Sequence, residues 1–170
     1  MINLDDFTHI PQESLTTEDY NGISNALREA QQSSHTTQVG ASLKGLGAWN
    51  KEVSIITSQY GDDVVREVAR HHAESLAILH CARAGVRTQD ATMYAPWASC
   101  LHCAMDIQAA GIVRVVVLKT LMDKTPDRWL TSVEQGLSLL WDHGVRVDVV
   151  DVREGYFGYD IRMDGKAVKV

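Results

Sequence analysis

Residues 91–118 read ATMYAPWASCLHCAMDIQAAGIVRVVVL, and the reading of this stretch decides the fold. ATMYA (91–95) has the pattern of a short strand, a helix from about residue 99 runs until Gly111 stops it, and VRVVVL (113–118) is a strand again. Two strands joined by a helical crossover lie parallel in one sheet. The unit recurs on both sides. Upstream, a helix from about 71 to 84 stops at Gly85. Downstream, Asp127 caps a helix with Trp129, Ser132, Val133, Leu137, Leu140 and Trp141 on one stripe, Gly144 ends it, and VRVDVV (145–150) supplies the next strand.

Further outward, QVGASLKGLGAWN (38–50) reads as two short strands around a Gly45–Gly47 turn. Thr16 or Thr17 caps a helix whose apolar positions Tyr20, Ile23, Leu27 and Ala30 keep helical spacing. YDIRMDGKAVKV (159–170) is a hairpin around Asp164-Gly165. Residues 51–70 read as a polar loop with room for a short helix after Asp62–Asp63. The expected architecture is a three-layer α/β domain, a mixed sheet of about five strands with helices on both faces. One domain spans 1–170, with an irregular arm at 1–15 and a C-terminal hairpin extension at 153–170.

Composition narrows the function classes. The chain has 170 residues, 45% of them hydrophobic, enough for one sizeable core. Its longest apolar runs, such as VVVL (115–118), are too short to cross a bilayer, and MINLDDFTHIPQ carries acids without the apolar segment of a signal peptide. A cytoplasmic protein with no membrane partner is expected. The net charge is −6 and no window is dominated by lysine and arginine, which argues against a nucleic-acid polymer but leaves a small anionic ligand open. In a reducing compartment, Cys100 and Cys103 at Cys-x-x-Cys spacing suggest a metal or redox site rather than a disulfide.

HHAESL (71–76) supplies the complement. Alone, His72 reads as a solvated or capping residue, and the two cysteines as a structural zinc clip or a thiol redox pair. Together, His72-Ala73-Glu74 opens one crossover helix and Cys100-Leu101-His102-Cys103 opens the next, so the two helix N-termini can meet at one edge of the sheet. Cys100 and Cys103 share a helix face, with Ser99 as a plausible N-cap, and a helix N-terminus stabilises thiolates. His72 and Glu74, two apart, share a site only if the helix begins there, which demands a break or bend near Arg70–His72. One histidine and two thiolates leave zinc a fourth position for water, the open type of site, with Glu74 as the unliganded carboxylate able to carry that water's proton.

His-x-Glu followed by Cys-x-x-Cys resembles the zinc-dependent nucleobase deaminases. YAPWASCLHCAMDIQAAGIVRVVV, PDRW (126–129) and VRVDVVD resemble the cytidine and deoxycytidylate deaminases, in particular the phage and bacterial deoxycytidylate forms; SHTTQVGASLK and GAWN resemble that family's first strand and sugar-contacting loop. The resemblance covers about residues 20–152 and implies a cytidine-deaminase-like fold. It departs at Ser99, where the family has proline, at Leu76 in place of asparagine, and at Asn50-Lys51-Glu52-Val53 in place of Asn-Gly-x-Pro.

The resemblance implies Zn2+ on His72, Cys100 and Cys103, and Glu74 as the catalytic proton shuttle. Water activated at the zinc attacks ring position 4 of cytosine, Glu74 protonates the neighbouring ring nitrogen and then the departing amino group, and ammonia leaves. It implies a free nucleotide substrate, dCMP, within a homo-oligomer. Cytidine, dCTP, a modified cytosine nucleotide, and a catalytically silent zinc- or nucleotide-binding module remain as alternatives. Asn50 is the candidate for the sugar, Trp97 and Tyr94 for stacking on the base, and Ala73 and Ser99 for further substrate contacts. Lys44, Lys51, Arg66, Arg70, Lys119 and Arg128 are the phosphate candidates. His71 and His102 are expected to point away from the metal, Cys81 to be a buried helix thiol, and Trp129 and Trp141 to be core.

Overall fold

The computed structural model describes residues 6–52 and 70–170. The short helix expected after Asp62–Asp63 and the phosphate candidate Arg66 lie outside the described residues. In chain order, the elements are β1 (Thr8–Pro11), α1 (Thr17–Ala30), β2 (Gly40–Leu43), β3 (Leu46–Trp49), β4 (Lys51–Glu52), β5 (Arg70–His71), α2 (Ala73–Ala84) and β6 (Thr92–Tyr94). Then come α3 (Leu101–Ala109), β7 (Arg114–Leu118), α4 (Lys119–Met122), α5 (Asp127–Asp142), β8 (Arg146–Asp151), β9 (Asp160–Met163) and β10 (Lys166–Lys169).

Among the described residues, the main sheet has six strands in the order β1-β8-β7-β6-β2-β3. β6, β7 and β8 pair in parallel through the crossovers α3 and α5, as the sequence requires, while β2 runs antiparallel to both β3 and β6. The expected mixed α/β sheet is therefore present. One strand more than anticipated comes from the arm, where Thr8–Pro11 pairs in parallel with Asp148–Asp151 of β8. The expectation of an irregular arm over 1–15 fails there. Its sequence could not reveal the strand, because the four residues are mostly exposed, show no alternation and end in proline, as an edge strand tolerates.

β2 is buried at every position because helices cover both of its faces. On one side α1 presses on Gly40, where a Cβ would meet Ala26 and Ala30, and Asn25 donates to the Ser42 hydroxyl at 2.8 Å. On the other, the Cys81 thiol of α2 reaches the Leu43 carbonyl at 3.7 Å, a buried sulfur as expected. α1 begins where the Thr16 hydroxyl accepts from the Asp19 N–H at 3.1 Å, and buries Ile23, Ala26, Leu27 and Ala30. α5 starts after Pro126, so Asp127 sits in the first turn rather than at the cap. Trp141 is 54% exposed and touches Phe7 edge-on; it is not core.

An ionic cluster pins α1 to the amino-terminal ends of β7 and β8. Arg114 donates to both oxygens of Asp19 (2.6 and 3.1 Å) and, through Nε, to Asp148 at 2.6 Å. Arg146 donates to the other Asp148 oxygen at 2.7 Å, and the Tyr94 hydroxyl to Asp19 at 3.1 Å. Asp148 has no exposed surface, so this pairing is what lets its charge exist there. Burial pushes the Asp19 carboxyl up, but hydrogen bonds and charge from Arg114 outweigh it and hold the group below the ordinary range.

The hairpin β9–β10 turns on Asp164-Gly165, both residues at positive φ (53° and 78°), the turn type such a dipeptide favours. It fastens to the segment leading into β2. The Gln38 and Gly165 N–H groups donate to the Arg162 and Thr36 carbonyls at 2.8 Å, and the Asp164 N–H donates to the Thr37 hydroxyl at 3.1 Å. Among the described residues no helix is long and apolar enough to cross a membrane.

Candidate metal centre and active site

The bend demanded at Arg70–His72 is present. β5 ends at His71, His72 is extended (φ −76°, ψ 150°) at the N-cap, and α2 starts at Ala73. Because His72 makes no capping bond with its side chain, its ring is available elsewhere, and Glu74 lies within the first turn. α3 is likewise capped at Cys100, extended at φ −64° and ψ 167°. Ser99 is therefore not the N-cap. Its place is supplied from another helix, for the Ser132 hydroxyl of α5 accepts from the Leu101 N–H at 3.3 Å. Both helix starts lie at the carboxyl end of β6, since α2 runs into that strand and α3 leaves it.

The three expected ligands come together. His72 Nδ1 lies 3.4 Å from Cys100 Sγ and 3.3 Å from Cys103 Sγ, and all three donor atoms lie within 4.8 Å of one another. A tetrahedral ion with zinc–sulfur bonds of about 2.3 Å and a zinc–nitrogen bond of about 2.0 Å would hold such donors about 3.6 Å apart. Protons alone satisfy the arrangement poorly, because one imidazole nitrogen has one proton or one lone pair and faces two sulfurs. The electrostatics agree. Cys100 is held far below the ordinary thiol range by its hydrogen bond from Cys103, against burial and with help from His72. Cys103, bonded to Cys100 and buried, is pushed up. The pair thus shares one proton, and a cation in that proton's place would let both sulfurs ionise. The chemistry of the donor set fits a zinc ion.

Glu74 is 3% exposed, and burial raises its carboxyl above the ordinary range, opposed by the charge of His72 and reinforced by that of Cys100. The Ser99 side chain favours the charged form of Glu74 without reaching hydrogen-bond geometry. Its hydroxyl is buried and lacks a hydrogen-bond partner among the described residues. A carboxyl raised by burial beside a metal-ligand cluster is suited to passing protons in both directions. His71 and His102 are exposed and outside the cluster, as expected.

The substrate candidates separate. Asn50 is buried one residue before β4, whose Lys51 faces His71 across the β4–β5 ladder, so it borders the centre. Its amide grips the backbone, donating to the Thr37 carbonyl at 2.8 Å and accepting from the Val39 N–H at 2.9 Å; one N–H and one lone pair remain. Ala73, fully buried, carries the first backbone N–H of α2, which has no partner within the helix. Trp97 is buried with its indole N–H donated to Thr125 at 2.9 Å. Tyr94 does not face the centre. Its side chain lies on the α1 side, against Gly22 and bonded to Asp19, because strand parity sends it to the opposite face from the cysteine loop.

Among the phosphate candidates, Lys119 is paired with Asp123 and Arg128 with Asp164, while Lys51 lies 5.7 Å over the Trp49 ring. Arg70 faces Glu52 in the β4–β5 ladder, and Lys44 sits in the β2–β3 turn with φ 52°.

Two contributors were not apparent from sequence. Trp129, expected in the core, presents an edge to His72 at 6.4 Å between ring centroids and to Trp97 at 6.3 Å. The available signal was its place in the first turn of a third crossover helix, at the same edge of the sheet. Gly136 is the other. A Cβ there would lie 2.5 Å from the Ser99 carbonyl oxygen and 3.1 Å from that of Cys100, so α5 reaches the cysteine loop only because this residue has no side chain.

Comparison with known proteins agrees with this geometry. A family model described as the cytidine and deoxycytidylate deaminase zinc-binding region matches residues 16–119. Among curated proteins, none matches the chain in sequence. Among solved structures, the dCMP deaminase of cyanophage S-TIM5 in complex with dCMP and dUMP has a TM-score of 0.61 at 20% identity, covering 79% of this chain and 98% of that one. Its apo form gives 0.58 at 19%, with the same coverage. A diaminohydroxyphosphoribosylaminopyrimidine deaminase/reductase from Thermotoga maritima gives 0.54 at 20%, covering 76% of this chain and 35% of that one. At such identities the likeness is one of fold.

Proposed function

The chain belongs to the cytidine and deoxycytidylate deaminase family, and from that premise we propose that it hydrolyses the exocyclic amino group of a free cytosine nucleotide, dCMP to dUMP, releasing ammonia. The observation that carries the proposal is the convergence of His72, Cys100 and Cys103 on one point beside the buried Glu74. In this reading those three residues hold zinc. Zinc held there would lower the pKa of a bound water toward neutrality and so supply a nucleophile at pH 7. Glu74 would accept one proton of the water and deliver it to ring nitrogen 3, then take the second from the hydroxyl added at ring position 4 and deliver it to the amino group leaving that carbon. Water enters, ammonia departs, and Glu74 is restored.

The Ser99 hydroxyl, the Ala73 N–H and the spare amide groups of Asn50 are the polar atoms assigned to substrate, with Asn50 on the sugar. Trp97 and Trp129 are assigned to the base, and Lys51 and Arg70 of the β4–β5 ladder, which adjoins Asn50 and His72, to a phosphate. A homo-oligomer belongs to the same reading and is checked by light scattering. The free carboxylate of Glu74 favours an enzyme over a silent zinc-binding module, since a structural site has no use for it.

The test is ammonia release across dCMP, dCTP, deoxycytidine, cytidine and cytosine, with the adenine counterparts as controls. The expected result is turnover with cytosine substrates only and dCMP preferred. Equal reaction of deoxycytidine would remove phosphate recognition, and no turnover by zinc-loaded protein on any of them would overturn the deaminase reading. Asn50→Ala is expected to lower kcat/KM by about ten- to a hundredfold, the worth of one buried hydrogen-bonding group.

A further inference from the structure

Ser75 and Asp106 belong to neither metal motif, yet they join the two helices that carry the cluster. Ser75 is the third residue of α2; Asp106 lies on α3, three residues beyond Cys103. The Ser75 hydroxyl oxygen is 2.5 Å from Asp106 Oδ2 and 3.7 Å from Cys103 Sγ. Both residues are half-buried. A hydroxyl has a single proton to donate, and here two acceptors compete for it: a carboxylate, which can only accept when ionised, and a sulfur.

We propose that Ser75 is a positioning residue for Cys103, its hydroxyl steering and electronically tuning the sulfur as a metal ligand, with Asp106 setting how much of the proton the sulfur receives. This rests on the assignment of Cys103 as a ligand. Side chains that hydrogen-bond a ligating atom fix its direction and its donor strength, and losing one costs about 10- to 100-fold in metal affinity. The geometry also fixes opposite signs for the two residues. Without Ser75 the sulfur loses its donor, and its lone pairs rise in energy. Without Asp106 the whole proton turns to the sulfur, and those lone pairs fall.

The test uses the full chain loaded with zinc or with Co2+. Zinc affinity is read by chelator competition and the energy of the sulfur lone pairs by the thiolate-to-cobalt charge-transfer band. Ser75→Ala is expected to weaken zinc binding by about tenfold or more and to move the band to longer wavelength. Asp106→Ala is expected to move it to shorter wavelength, and Ser75→Thr, which keeps a hydroxyl, to stay near the parent in both readouts. Unchanged affinity and an unmoved band in Ser75→Ala, with only a lower Tm, would reduce the pair to a helix–helix tie and overturn the proposal. A band moving the same way in Ser75→Ala and Asp106→Ala would overturn it too. Should Ser75→Ala not fold, Asp106→Ala and Ser75→Thr carry the same test: an unmoved band in Asp106→Ala overturns it. Cys103→Ser separates the two layers. Zinc retained in that variant refutes the ligand assignment itself, whereas zinc lost there but unaffected by Ser75→Ala refutes only the role of Ser75.

Discussion

Two buried polar clusters serve the same sheet, one against α1 and one where α2 and α3 begin, and they are built on opposite terms. Against α1, Asp19, Arg114, Arg146, Asp148 and Tyr94 satisfy one another; Asp19 and Asp148 are each bonded by at least two donors. At the carboxyl end of β6 the accounting does not close. Two sulfurs compete for one imidazole nitrogen, a buried glutamate is pushed toward neutrality, and the Ser99 hydroxyl has no partner among the described residues. A saturated cluster holds structure; an unsaturated one of similar burial is arranged for something that must still arrive.

The largest effect should come from the unsaturated cluster. Glu74→Gln keeps size and polarity but cannot carry a proton, so turnover is expected to fall toward the 10⁴-fold end of what general acid–base catalysis contributes, with metal content and Tm near the parent. Deaminase activity close to the parent's would break the contrast. Arg114→Ala attacks the saturated cluster. Two buried carboxylates lose their shared partner, and about 3–5 kcal/mol of stability should go, while kcat of the folded fraction stays nearly constant. A loss of kcat without loss of stability would mean the two clusters are not separable.

Gly136→Ala tests a contact between a helix backbone and the cysteine loop. The added methyl must displace the Ser99 or Cys100 carbonyl, for which overpacking costs about 1–3 kcal/mol, partly offset by about 1 kcal/mol of helix propensity. Its sharper readout is weaker zinc retention, since the displaced loop carries Cys100. The smallest effect is in acid. Asp19 is depressed in the folded state, so its contribution is complete above the unfolded carboxylate value of about 3.9 and is lost as pH falls through the lower, folded value. Stability of Asp19→Asn should therefore fall less steeply than the parent's below about pH 4.

What was legible in the sequence followed the range of the interactions involved. The start of α1 at Thr16, the extent of α2 between the bend at Arg70–His72 and Gly85, the Asp164-Gly165 turn and the meeting of His72 with the cysteines all rest on caps, turns and a short crossover. β1 and the β4–β5 ladder were not legible, because a few residues with distant partners leave no periodic trace. Tyr94 was misplaced for a different reason. It is near the cysteine loop in sequence, but alternate strand residues face opposite ways, and its parity is set by the register Tyr94↔Val116 and Val116↔Asp148. Trp129 was hidden because a helical stripe of apolar residues looks the same whether its first turn meets core or metal ligands.

The pairing of β1 with β8 also governs the order in which the molecule can be completed. The first strand of the chain is made long before residues 146–151, which it must join, at synthesis rates of about 5–20 residues per second. Until then Thr8–Pro11 cannot take its place beside β8, and once β8 docks on β7 its outer edge, RVDVVD, stays open for hydrogen bonding until β1 joins it. An apolar strand edge of that kind is a template for a second chain as much as for the correct one. Arg146 and Asp151, exposed at its two ends, place charges on it, which disfavours pairing with a neighbour during that interval.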